Sequence, residues 1–141
     1  MKEKLFKANQ FTPTQWSTAE DKAKFANQFV RLIERGFQKS DFPRGFYNRL
    51  SMIFGHIAHC NHLKFWEIWF LDKEAQLEFL QHTEQSRIYG NPTFTYSDVE
   101  EAIQGWLKSN PQFAKNLETS IAVEHEQHDR SEYERLKVKF A

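Results

Sequence analysis

Apolar residues recur at helical spacing along most of this sequence, and this periodicity constrains the fold more than any other feature. The clearest apolar stripe consists of Phe25, Phe29, Ile33 and Phe37, each four residues after the last. Further stripes run through residues 46–57 and 113–136. Such faces must be buried against one another, so the sequence predicts an all-α fold, a single-domain bundle of about four main helices plus one or two short ones.

Residues that typically begin or end helices predict where each helix starts and stops. "STAE" and "SDVE" place Ser17 and Ser97 as N-caps of capping boxes, while Asp72 and the pair Asn110–Pro111 mark two further helix starts. "LKFWEIWFL" reads as a short buried helix, and "IYGNPTFTY" as a loop. The predicted helices, besides this short one, cover 17–38, 44–60, 73–86, 97–107 and 111–138. With only five glycines and four prolines, residues 1–141 are expected to form one helical domain, irregular over 1–16.

Composition narrows the classes of partner. The formal net charge is zero, which argues against nucleic-acid binding because such binding depends on a basic surface. No run of apolar residues approaches the 18 or so that a membrane-spanning helix needs, and "MKEKLFKANQ" lacks the apolar core of a signal peptide. A single cysteine excludes an internal disulfide framework. These observations predict a soluble cytoplasmic protein that has no membrane partner.

The charge is unevenly divided along the chain. Residues 1–70 contain eleven Lys and Arg against six Asp and Glu, whereas residues 71–141 contain eight against thirteen. Either the two halves pack together and neutralise each other, or they leave a dipolar surface that steers a charged partner or a second copy of the chain.

Two clusters of histidines are candidates for a metal site. "GHIAHCNH" places His56 and His59 about 60° apart on a helix, and "VEHEQHDR" holds His125 and His128 on the last helix. If the two helices face each other, this four-histidine cluster would surround one divalent metal such as zinc. The layout resembles the DinB-like four-helix bundles, although that family pairs its last two histidines at i and i+4 and this chain at i and i+3. The resemblance implies a metal-binding bundle with hydrolase or transferase activity.

The alternative interpretation is that these histidines are structural or face the solvent, and it leads to a different function. The chain contains no phosphate-binding loop, dinucleotide-binding fingerprint or nucleophile elbow. The hypothesis we favour from sequence is therefore a small helical binding or adaptor protein without catalytic activity or cofactor, which contacts another protein or a second copy of itself.

Basic residues around the first helix–helix connection form a second candidate surface. They are Arg31, Arg35, Lys39, Arg44 and Arg49. Such a basic patch would attract a phosphate or an acidic partner, and the alternative is an ordinary solvated face.

Overall fold

In the described part of the chain, the fold consists of helices with turns and one longer loop, residues 86–96, between them. The computed structural model describes residues 5–53 and 61–140. In chain order its helices are α1 (Ala19–Glu34), α2 (Arg44–Ile53), α3 (His62–Phe65), α4 (Lys73–Gln85), α5 (Ser97–Ser109) and α6 (Gln112–Phe140). These two ranges contain no strand, so the all-α prediction is confirmed. Five of these helices have at least ten residues, so the expected count of four main helices was approximate.

A cluster of aromatic rings forms the centre of the core. Phe42, which follows a 3-10 turn at Lys39–Asp41, lies 5.9 Å from the ring of Phe46 and 5.0 Å from that of Phe70. Phe79 of α4 lies 4.9 Å from Phe70 on its other side. Helices α1 and α5 complete the enclosure with aliphatic and aromatic side chains. The periodic stripes seen in the sequence therefore do meet in one core.

The predicted short helix "LKFWEIWFL", residues 63–71, is helical as far as Phe70, but it is not buried throughout. The single turn of α3 continues into a π-helical turn, Trp66–Phe70. Phe65, Trp66 and Phe70 are buried, whereas Leu63, Ile68 and Leu71 are exposed. The prediction of a buried helix is therefore only partly right, because a π-helical turn shifts the register of the face that is buried.

Helix α1 ends earlier than its apolar periodicity predicts. Gly36 and Phe37 both have positive φ, +75° and +59°, and Phe37 N–H donates to the carbonyl of Leu32 (2.8 Å). This Schellman-type ending stops the helix at Glu34 while it still buries the ring of Phe37 against Phe70. The predicted end at residue 38 was wrong because Phe37 continues the buried stripe without continuing the helix.

The predicted caps at Ser17 and Ser97 were also wrong. Thr18 is the N-cap of α1, in a capping box with Asp21. Ser97 is the first residue of α5, and Tyr96 before it provides no side-chain cap. Asp72 does cap α4, as predicted, since its carboxylate accepts from Glu74 N–H.

Helix α6 extends beyond the rest of the fold. It packs mainly on α4, and its 29 residues span about 43 Å. Its apolar residues are partly buried as far as Ile121, and the following residues up to Lys137 are exposed apart from Glu132. The histidines on the predicted stripe thus occur where the helix leaves the core. In the part of the chain described here, no helix has the length and apolar character needed to cross a membrane.

Candidate functional site

A buried lysine holds together the region where the candidate site lies. Lys22 of α1 is completely buried, and its ammonium group donates to the carbonyls of Pro92 (2.8 Å) and Thr95 (3.0 Å) and to Asp98 Oδ1 (2.9 Å). These bonds fix the loop 86–96 and the start of α5 against α1. Sequence analysis missed Lys22, although the signal was present: it precedes Phe25 by three positions, which places it on the apolar face.

The N-terminal segment is fixed to the same region. Thr12 N–H donates to Asp98 Oδ2 (2.9 Å), and the Asn27 side chain both donates to and accepts from the backbone of Phe6 (2.9 Å each). Over residues 5–16, this segment contains a 3-10 turn at Ala8–Gln10 and is otherwise irregular. Its attachment brings Trp16 and Ser17 beside the loop 86–96.

A groove of about 790 Å³ lies where these segments meet. Its walls come from residues 14–17, the C-terminal ends of α2 and α4, the loop 86–96 and the first turns of α5. Its volume falls within the range of ligand pockets, and most of its lining residues lie on segments held by Lys22 and Asp98. The groove is therefore a surface built by long-range contacts rather than by one helix.

The groove concentrates exposed apolar side chains. Met52, Tyr89 and Trp16 are 75%, 72% and 70% exposed, the three highest values among the large apolar residues of the described ranges. All three line the groove, together with Phe94 at 66%. Contiguous exposed apolar surface of this kind is typical of a site that binds a partner or ligand.

Two arginines in the groove have no acidic partner. Arg49 of α2 and Arg87 of the loop both line it, and neither forms an ion pair with any residue of the described part of the chain. The guanidinium of Arg49 lies over the ring of Tyr96, 5.1 Å from its centroid. A stacked guanidinium is held in a fixed plane and keeps its N–H edges free to donate.

Two buried hydroxyls of residues that line the groove lack hydrogen-bond partners in the described part of the chain. They are Ser17 Oγ, on a side chain that is only 4% exposed, and Tyr96 Oη. A buried polar group without a partner costs about 1–3 kcal/mol, so a ligand atom that pairs with it recovers that free energy.

Glu100 adds a titratable group at one side of the groove. Its backbone N–H donates to Tyr96 O (2.9 Å), which places it one turn into α5. Partial burial raises the pKa of its carboxyl to about 7. Near neutral pH this carboxyl therefore exchanges between a neutral donor and a charged acceptor inside the groove.

The four-histidine cluster stays a prediction. His125 Nε2 lies 2.9 Å from Glu74 Oε1, and His128, which is exposed, lies 3.8 Å from Asp129. Among residues 5–53 and 61–140, no three His, Cys, Asp or Glu side chains are grouped so as to hold a metal ion. His56 and His59 lie outside the described residues.

The basic patch is divided by the structure. Arg31 and Arg35 converge on Asp41, with their Nε atoms 3.4 and 3.1 Å from its carboxylate oxygens. Lys39 lies in the adjacent 3-10 turn and Arg44 begins α2. Arg49 lines the groove. Whether the patch as a whole binds an anion stays a prediction. Arg49 differs from the other members of the patch because it lines the groove and stacks on the ring of Tyr96.

We compared the chain with models of known protein families, with curated proteins and with solved structures, and found no match in any of the three. The groove's own geometry and chemistry therefore carry the functional argument.

Proposed function

We propose that this protein is a non-catalytic binding protein that holds a segment of another protein in the groove. The observation that carries the proposal is the position of Met52, Tyr89 and Trp16. These side chains are the most exposed of their class in the described ranges, and they line one groove. Aromatic side chains and methionine are enriched at protein interfaces, where they supply most of the binding free energy.

The shape of the groove favours a chain segment over a small molecule. Pockets for small ligands bury most of the ligand surface, whereas here the apolar walls are themselves about 70% exposed. An open groove of this volume accommodates a few consecutive side chains of an extended or helical segment. The loop 86–96 is held in place by Lys22, which reduces the entropy lost on binding.

A cytoplasmic location for the protein is part of the same proposal. Cys60 is the only cysteine of the chain, so no internal disulfide is available to stabilise it in an oxidising compartment. We place the protein and its partner in the cytoplasm. A second copy of the chain is the competing occupant of the groove.

Selection of random dodecapeptides displayed on phage tests this function. Peptides are selected on the wild-type protein and then measured against a groove variant, Trp16→Ser/Tyr89→Ser/Phe94→Ser. The matched control variant, Leu63→Ser/Leu71→Ser/Tyr133→Ser, removes three exposed apolar side chains that do not line the groove. We expect selected peptides to bind the wild type and the control alike and to bind the groove variant at least about tenfold more weakly.

Failure to enrich any peptide, or equal binding to all three proteins, contradicts the proposal. Analytical ultracentrifugation measures the oligomeric state and so tests whether a second copy of the chain occupies the groove. A dimer of the wild type that the groove variant abolishes would assign the groove to a second copy of the chain instead of a different partner.

A further inference from the structure

The arginines of this chain differ in how they are neutralised. Arg130 and Arg135 each form an ion pair with a glutamate on α6, at 3.1 and 2.7 Å. Arg31 and Arg35 share the carboxylate of Asp41. Arg49 and Arg87 have no such partner in the described ranges, although both line the groove. A groove that brings together two uncompensated guanidinium groups and exposed aromatic rings is complementary to a segment that is both apolar and acidic.

We infer that the bound segment is recognised through a carboxylate side chain that Arg49 and Arg87 bind, and that Glu100 takes up a proton when this carboxylate enters. The inference rests on the proposed function and specifies the chemistry of the partner: bulky apolar residues close to Asp or Glu. Guanidinium groups bind carboxylates through paired N–H donors, which gives orientation as well as affinity.

The buried hydroxyls supply the second part of the recognition. Ser17 Oγ and Tyr96 Oη have no hydrogen-bond partner among the described residues, and both are covered in the free protein, so each would donate to an oxygen atom of the segment after a small local opening. Tyr96 also lies beneath Arg49, so its ring fixes the plane of the guanidinium. A ligand that brings acceptor oxygens satisfies these groups, whereas a purely apolar ligand leaves them unpaired.

Glu100 makes this recognition depend on protonation. The other charged and titratable groups that line the groove are Arg49 of α2, His82 of α4, Arg87, Tyr89 and Tyr96. The residues of the N-terminal segment that line the groove carry no charge. An entering carboxylate is repelled by ionised Glu100 and can accept a hydrogen bond from the protonated form. Because His82 also lines the groove, a substitution at Glu100 is needed to isolate the contribution of Glu100 itself.

Two pools of capped octapeptides test the inference. Both carry Trp, Phe, Leu or Met at two positions, and they differ only in having Asp and Glu, or Asn and Gln, at two others. At about pH 6 we expect the acidic pool to bind the wild type about tenfold more tightly than the amide pool. The preference should disappear in Arg49→Gln/Arg87→Gln and persist in Arg130→Gln/Arg135→Gln, which removes the same charge from exposed α6.

The pH dependence gives an independent readout. If only the protonated form of Glu100 admits the carboxylate, a group that titrates near neutrality lowers affinity about tenfold between about pH 6 and pH 8. Glu100→Gln should bind the acidic pool with little dependence on pH in that range. A wild-type affinity that does not change with pH contradicts the role of Glu100.

The outcomes separate this inference from the function on which it rests. Equal binding of both pools in the groove overturns the inference and leaves the binding function intact, whereas binding of neither pool overturns both. An acidic preference that survives in Arg49→Gln/Arg87→Gln also overturns the inference. Tighter binding of a phosphoserine pool, or of phosphatidylserine vesicles, would assign the arginines to phosphate instead of carboxylate.

Discussion

Replacement of Lys22 by Met tests how the groove is held together. The two side chains are similar in length, so the variant keeps the packing and removes the charge. Three hydrogen bonds are lost, and the carbonyls of Pro92 and Thr95 lose a donor. Asp98 loses its cation but keeps bonds from Thr12 N–H and Val99 N–H, and its side chain is 18% exposed.

The expected loss of stability is therefore large. Removal of one partner of a buried ion pair costs about 3–5 kcal/mol, and the remaining bonds of Asp98 place Lys22→Met towards the lower end of that range. A typical domain has only about 5–15 kcal/mol of stability in total. The free energy of unfolding from urea denaturation, followed by circular dichroism, measures the loss.

Lys24→Met is the matched control. Lys24 lies two residues further along α1 and is exposed, so its replacement should change stability by no more than about 0.5 kcal/mol. If Lys22→Met is as stable as the wild type, the desolvation of the ammonium group cancels its hydrogen bonds, and the account of Lys22 as the residue that holds the loop is refuted.

Three further predictions follow from the same structure. Glu100 keeps its proton to about pH 7 in the folded protein but loses it near pH 4.5 in the unfolded chain, so the free energy of unfolding should fall by roughly 1–2 kcal/mol as the pH rises between those values, allowing for solvent screening. In urea denaturation, Glu100→Gln should remove this fall, whereas replacement of the exposed Glu101 by Gln should not. Gly90→Ala should lower the free energy of unfolding by about 1–3 kcal/mol, because φ at this position is +98° and the new Cβ would lie 2.7 Å from Thr95 Cγ2. The control Gly45→Ala, whose new Cβ meets no atom within 4 Å, should not destabilise the protein, and equal denaturation midpoints for the two variants would contradict this prediction. A chelator should leave the melting temperature of the purified protein unchanged. About one equivalent of metal in elemental analysis, together with a melting temperature that the chelator lowers, would instead support a metal site at the four-histidine cluster.

Helix positions were predictable because apolar periodicity is a local signal. The stripe through Phe25 and Phe29 faces the core as expected, and α4 begins after the cap at Asp72. Helix ends were less predictable. Phe37 is buried with a left-handed backbone, and the stripe alone cannot distinguish this from another helical turn.

The groove could not be predicted from sequence because its residues come from five segments spread along the chain. Trp16, Arg49, Tyr89 and Glu100 share no local pattern, and only the tertiary contacts bring them together. Arg49 was identified as a candidate for binding an acidic partner, but through its neighbours in sequence, of which Arg31 and Arg35 instead pair with Asp41. The one local clue was Lys22, a charged residue on an apolar face that required buried partners.

The central claim is that the groove is where a partner segment binds, and two-dimensional NMR of the ¹⁵N-labelled protein tests it most directly. On titration with a peptide from the phage selection, the account predicts that the largest amide shift changes fall on residues 14–17 and 86–97, with residues 122–137 of α6 unaffected. Shift changes concentrated on α6, or spread evenly over the molecule, would contradict it.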